Sequence, residues 1–129
     1  MFRTILSLVA GFAIMTFSFL LATLLSAAAF GVSGEPPYPS NFNTVVLTAT
    51  VLAAGLGGYS TAALAPDRRT GHAMVLALMI LVMQSYNVMN PQPGYERAHF
   101  IWLLALCPVA AIAGGYIREA QVRRRAKQA

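Results

Sequence analysis

The stretch AAGLGGYSTAALAPDRRTGH, residues 53–72, decides how the chain is read. A long apolar run rich in small residues reaches Pro66 and is followed at once by Asp67, Arg68 and Arg69. Proline interrupts a helix because it lacks the backbone N–H, and paired arginines beside an apolar span mark the side of a membrane that retains positive charge. The junction reads as a membrane helix leaving the bilayer on the cytoplasmic side, and the other segments are counted from it.

Composition points the same way. Of 129 residues, 57% are hydrophobic and 10% are charged, whereas a soluble domain carries about 25% charged residues. In lipid the backbone has to pair its polar groups within the chain, which favours helices. The expected class is all-α: a polytopic membrane protein with four transmembrane helices in an up-down bundle. The formal net charge of +5 does not imply nucleic acid as a partner, because the basic residues flank the apolar runs, where the positive-inside rule places them. The single cysteine, Cys107, excludes an intramolecular disulfide or a cysteine metal cluster. His72 and His99 fall near opposite faces, so no metal and no cofactor is expected.

The spans are expected at about 4–30, 43–65, 71–90 and 99–117, in one four-helix domain with a basic tail at 118–129. The first run begins behind Arg3 and suggests a signal peptide at first sight. Its apolar length exceeds the roughly 7–15 residues of a signal core, so it is read as a retained span. The loop that follows is stiffened by Pro36, Pro37 and Pro39. The N-terminus, the short 66–70 link and the tail hold eight of the nine Lys and Arg residues, and Arg97 alone falls in the outer loops. Both termini are therefore expected in the cytoplasm. Tyr38, Phe42, Tyr86, Tyr95, Phe100 and Trp102 gather toward the outer ends, as interfacial aromatic belts do.

The two halves of the chain resemble one another. A shift of 57 residues aligns Pro36 with Pro93, Tyr38 with Tyr95, and Gly57-Gly58-Tyr59 with Gly114-Gly115-Tyr116. A duplicated hairpin would relate the halves by a pseudo-two-fold axis along the membrane normal and make spans two and four parallel. Thr50, Ala54, Gly58 and Ala62 are four apart on one face of span two, and Cys107, Ala111 and Gly115 repeat that spacing on span four. Small residues at this interval let helix backbones approach closely, so these two faces are expected to pack together at the centre. Packing on spans one and three, or on a second copy of the chain, is the alternative.

No Asp, Glu, Lys or Arg lies inside an expected span. This argues against proton-coupled transport, which uses a titratable group at membrane depth, and against an enzyme. The most polar membrane stretch is the outer end of span three. Gln84, Asn87 and Asn90 follow one another at intervals of three, and Tyr86, Tyr95 and Trp102 are candidates to bound a shallow outward pocket around them. The same side chains would also serve as interhelical hydrogen bonds. Cys107, a buried thiol without a nearby cation, is expected to be unreactive. Pro108 removes a helix hydrogen bond and is expected to kink span four. Arg68, Arg69, Arg123, Arg124 and Arg125 are candidates for lipid headgroups, each worth about 1 kcal/mol near an anionic surface.

Gly57-Gly58-Tyr59, Ala65-Pro66, Arg68-Arg69 and His72-Ala73 together resemble a pattern in small, uncharacterised four-span bacterial membrane proteins. The resemblance covers about 17 residues and implies a bacterial inner membrane without implying an activity. Two functions remain open at this point. One is a non-catalytic accessory subunit whose small-residue faces bind another membrane protein or a second copy; the other is a small solute transporter or channel using the polar face of span three.

Overall fold

The computed structural model describes residues 2–33, 36–66 and 69–128. It contains four helices, α1 (Phe2–Phe30), α2 (Ser40–Leu64), α3 (Arg69–Met89) and α4 (Arg97–Gln128), and no strand among the described residues. Each helix is long and apolar enough to cross a membrane. The chain is an all-α, four-helix bundle with the build of a multi-pass membrane protein. Two ends can be distinguished: the loop end, with the connections after α1 and α3, and the tail end, where α2 hands over to α3 and α4 runs on past the bundle.

Local chemistry sets the helix ends. Gly31 has φ 62° and sits just beyond α1. The N–H of Val32 bonds the carbonyl of Ala27 at 2.9 Å and that of Gly31 bonds Ala28 at 3.3 Å, the paired return bonds of a Schellman stop. α2 starts at Ser40, three residues before the expected Asn43, because Pro39 lies outside the helix at φ −58°, ψ 142° while its carbonyl already accepts the Asn43 N–H. α2 stops where Ala65 turns extended (ψ 134°), the conformation that a following proline imposes. α4 runs unbroken through buried Pro108, and the basic tail continues it as helix to Gln128.

α2 and α4 lie parallel at the centre. α1 packs antiparallel on α2, α3 packs antiparallel on α4, and α3 also reaches α2 across the bundle. The α1–α3 side is the loosest, and no Cα of α1 comes within 8 Å of α4 among the described residues. The glycine pairs explain this arrangement. A Cβ at Gly58 would stand 1.9 Å from the Ala111 carbonyl oxygen of α4, and one at Gly57 would stand 2.8 Å from Met15 Cβ of α1. On α4, a Cβ at Gly114 would stand 2.1 Å from the Gly55 carbonyl oxygen, and one at Gly115 would stand 2.3 Å from Ala73 Cβ of α3. Adjacent residues on a helix point about 100° apart, so each glycine pair seats two different neighbours at one level.

Ala54, Gly58, Ala62, Cys107, Ala111 and Gly115 are all buried, and Thr50 is half-buried. Gly115 nevertheless turns chiefly to α3. A strict two-fold axis would send Gly114 toward α3, as the counterpart of Gly57 toward α1; Gly114 instead faces α2. Contacts in the two halves are therefore alike in kind and differ in rotation.

Gly58→Ala places a methyl group against backbone that cannot swing away, and should destabilise the bundle by about 1–3 kcal/mol or more. Gly55→Ala, whose Cβ would meet only the Ala110 carbonyl at 3.5 Å, should be neutral or mildly stabilising. Unfolding midpoints of the two variants in detergent titrations check the contrast, and equal losses would contradict the packing described.

Candidate functional site

One turn from the Gly58–Ala111 contact, toward the loop end, a cavity of about 380 Å³ opens among all four helices. Its size falls within the roughly 300–1,000 Å³ of small-molecule sites. α1 contributes Phe12, Met15, Thr16 and Phe19, and α3 contributes Ile80, Met83, Gln84 and Asn87. Both sets have the i, i+3, i+4, i+7 spacing of a single helical face. Val46, Thr50 and Ala54 come from α2, while His99, Phe100, Leu103 and Cys107 come from α4. Gln92 and Tyr95, on the connection before α4, complete the wall.

Polar groups are sorted along the bundle axis. The end nearest the glycine contact is walled by Met15, Ala54 and Cys107, whereas Gln84, Asn87, Tyr95 and His99 collect toward the loop end. Gln84 is only 4% exposed, and its Oε1 accepts a hydrogen bond from Asn87 Nδ2 at 3.1 Å. The Thr50 hydroxyl is already committed, donating to the Val46 carbonyl at 2.6 Å. Among the described residues, no Asp, Glu, Lys or Arg side chain lines the cavity.

Aromatic rings close the loop end. Tyr95 lies 4.8 Å from His99, 5.5 Å from Tyr38 and 6.0 Å from Phe100 between ring centroids, and Tyr38 in turn meets Phe42 at 5.5 Å. Gly94 makes this closure possible. Its φ is 89°, and a Cβ there would strike Pro36 and Tyr38 at 2.7 Å. A second, more open cavity of about 460 Å³ lies beyond, lined by Thr23, Ser33, Tyr38 and Phe42 among others, and again by Tyr95.

The structure brings together part of the expected polar pocket. Gln84, Asn87 and Tyr95 line the inner cavity. Tyr86 and Trp102 do not: they are 66% and 59% exposed on the outer surface. Asn90 is also outside, with its Nδ2 donating to the Tyr86 carbonyl at 3.2 Å. Sequence reasoning placed His99 at the interface and assigned no role to Gln92, Thr16 or Phe19, all of which line the cavity. The signal for them was the face spacing on α1 and α4, a pattern shared with any packed helix.

At the tail end, the candidate headgroup arginines differ among themselves. Arg124 and Arg125 are exposed, Arg123 pairs with Glu119 one turn earlier, and Arg69 is half-buried; Arg68 lies outside the described residues. Glu119 also accepts a hydrogen bond from Thr70 of α3. The Tyr59 hydroxyl donates to Gln121 Oε1 at 2.9 Å, and the Arg118 guanidinium sits 5.6 Å from the Tyr59 ring centroid. The extension of α4 is thereby held to α2 and α3. No three of His, Cys, Asp or Glu converge as metal ligands among the described residues.

Four membrane-length helices define the class: a multi-pass α-helical membrane protein, here with a cavity among its helices. Comparison with protein-family models, with curated proteins and with solved structures yields no match to this chain.

Burial, and secondarily the neighbouring Tyr38, raises the pKa of the Tyr95 phenol above its ordinary 10.0. The folded state then holds a proton that the unfolded chain loses, so this contribution to stability is intact below pH 10 and declines as pH rises through the raised value. Spectrophotometric phenolate titration should show a late-titrating component that is lost in Tyr95→Phe.

Proposed function

We propose that this protein is a non-catalytic membrane protein that holds a small molecule in the cavity between its four helices, in the manner of a small solute carrier. The observation that carries the reading is Gln84. A nearly fully buried carboxamide is costly in a bilayer unless its hydrogen-bonding capacity is used, and Asn87 takes up only part of it. A bound molecule would use the rest. The absence of Asp, Glu, Lys and Arg from the cavity wall among the described residues favours a neutral solute over an ion or a proton-coupled substrate.

The accessory-subunit reading has separate support from α1. This helix leans on α2, barely meets α3, and presents Phe17, Leu21, Leu24 and Leu25 outward. That surface suits lipid, another membrane protein or a second copy of the chain. Purification from native membranes in mild detergent, followed by mass spectrometry, separates the two readings. The carrier reading expects a stoichiometric small molecule that is lost when Ala54→Leu fills the cavity. A stoichiometric protein partner with no small molecule would favour the accessory reading.

We further infer a bacterial inner membrane with both termini cytoplasmic. The support is the distribution of charge: Arg3, Arg69, Arg118 and the Arg123–Lys127 cluster belong to the tail end, while Glu96 and Arg97 are at the loop end. In a Cys107→Ala background, a cysteine at Gln92 should react with an impermeant maleimide added to intact cells. One at Gln128 should react only after permeabilisation, and the reverse pattern would invert the topology.

A further inference from the structure

Building on the carrier reading, we propose that the occupant is a neutral, medium-chain amphiphile whose head group bears a carbonyl oxygen, bound with its head toward Gln84 and Tyr95 and its apolar body toward Cys107. Three observations converge on this class. The first is charge: with no Asp, Glu, Lys or Arg side chain in the wall among the described residues, an ionised head would be desolvated there without a counter-charge.

The second is the polarity gradient. His99 and Cys107, at the two ends of the α4 wall, are eight residues apart, which at ~1.5 Å per residue gives an axial length of about 12 Å. Over that length the wall changes from carboxamide and phenol to methionine, alanine and thiol. A molecule uniformly polar or uniformly apolar would mismatch one half.

The third observation is hydrogen-bond capacity. Gln84, 4% exposed, spends its carbonyl on Asn87 and carries two N–H groups on a side chain that lines the cavity. Thr50, the nearest hydroxyl on α2 in this wall, is already bonded to its own helix. The cavity therefore offers N–H donors from a side chain that is almost completely shielded from solvent. An oxygen acceptor without charge is the complement.

The test is photolabelling of the protein in phospholipid nanodiscs with a diazirine analogue of methyl decyl ketone, labelled residues being mapped by mass spectrometry. Methyl decyl ketone, dodecane and dodecanoate serve as competitors. Label on the cavity faces of α1 and α3 is expected. The ketone should compete about tenfold better than dodecane or dodecanoate. Gln84→Leu should abolish that advantage without changing competition by dodecane. Gln84→Met, which keeps the side-chain length without its donors, replaces it if the leucine variant does not fold. If the cavity is labelled but the ketone has no advantage, or keeps it in the variant, the head-group assignment falls while the cavity reading stands. Label confined to outward residues such as Leu106 and Val109 would overturn both.

Discussion

The close approach of α2 to α4 is the constraint on which the rest of the bundle depends. Inside a bilayer, apolar side chains gain little by leaving lipid for one another, so helices associate through fine packing and backbone proximity. Gly58 against the Ala111 carbonyl and Gly114 against the Gly55 carbonyl supply that proximity. With the two central helices fixed in rotation, their other glycines are fixed as well. Gly57 must present its bare face to Met15, and Gly115 must present its own to Ala73. The positions of α1 and α3 therefore follow from the contact at the centre, and the cavity occupies the volume one turn beyond it.

Polar side chains within the spans are mostly satisfied locally. Ser7 and Ser26 donate to carbonyls three and four residues earlier, as do Thr44, Thr48, Thr50 and Ser85. This back-bonding hides a hydroxyl in lipid without a partner from another helix. Thr61 departs from it. Fully buried where α2 meets Gly11 of α1, its hydroxyl has no hydrogen-bond partner. Carboxamides have more capacity than a single back-bond can absorb, which sets Gln84 and Asn87 apart from the hydroxyls. Their mutual bond uses one donor and one acceptor and leaves the remainder facing the cavity.

Hydropathy made the four helices legible because runs of apolar residues are interrupted by Pro36–Pro39, Pro66 and Pro91. The small-residue faces were legible because a four-residue interval survives translation into a helix surface. The polar pocket was legible only in part, for a geometric reason. Each step of three residues falls about 60° short of a full turn, so Gln84 and Asn87 share a face while Asn90 has rotated away. Tyr86, two residues from Gln84, points to nearly the opposite side. The contribution of α1 was invisible to polar patterning, since Phe12, Met15 and Phe19 resemble any packed helical face. His99 became a wall residue because the turn at Gly94 brings Tyr95 over the bundle, which requires Pro36 and Tyr38 from a distant loop. No local window contains both partners.

The contrast between the two ends bears on what the cavity can hold. At the tail end, Glu119 joins Thr70 and Arg123, Arg118 lies over Tyr59, and further arginines follow along α4. Charge there is abundant and the helices are tied together by it. At the loop end, closure is by rings: Tyr38, Phe42, Tyr95, His99 and Phe100 contact one another edge to face or tilted. Rings contact one another without imposing a charge, and beside apolar walls a carboxamide hydrogen bond counts for more than at an aqueous surface. A cavity placed at the tail end would be surrounded by ions and select for opposite charge. The cavity beneath the aromatic contacts instead presents the hydrogen-bonding side chains of Gln84, Asn87, Tyr95 and His99, with no Asp, Glu, Lys or Arg in its wall among the described residues.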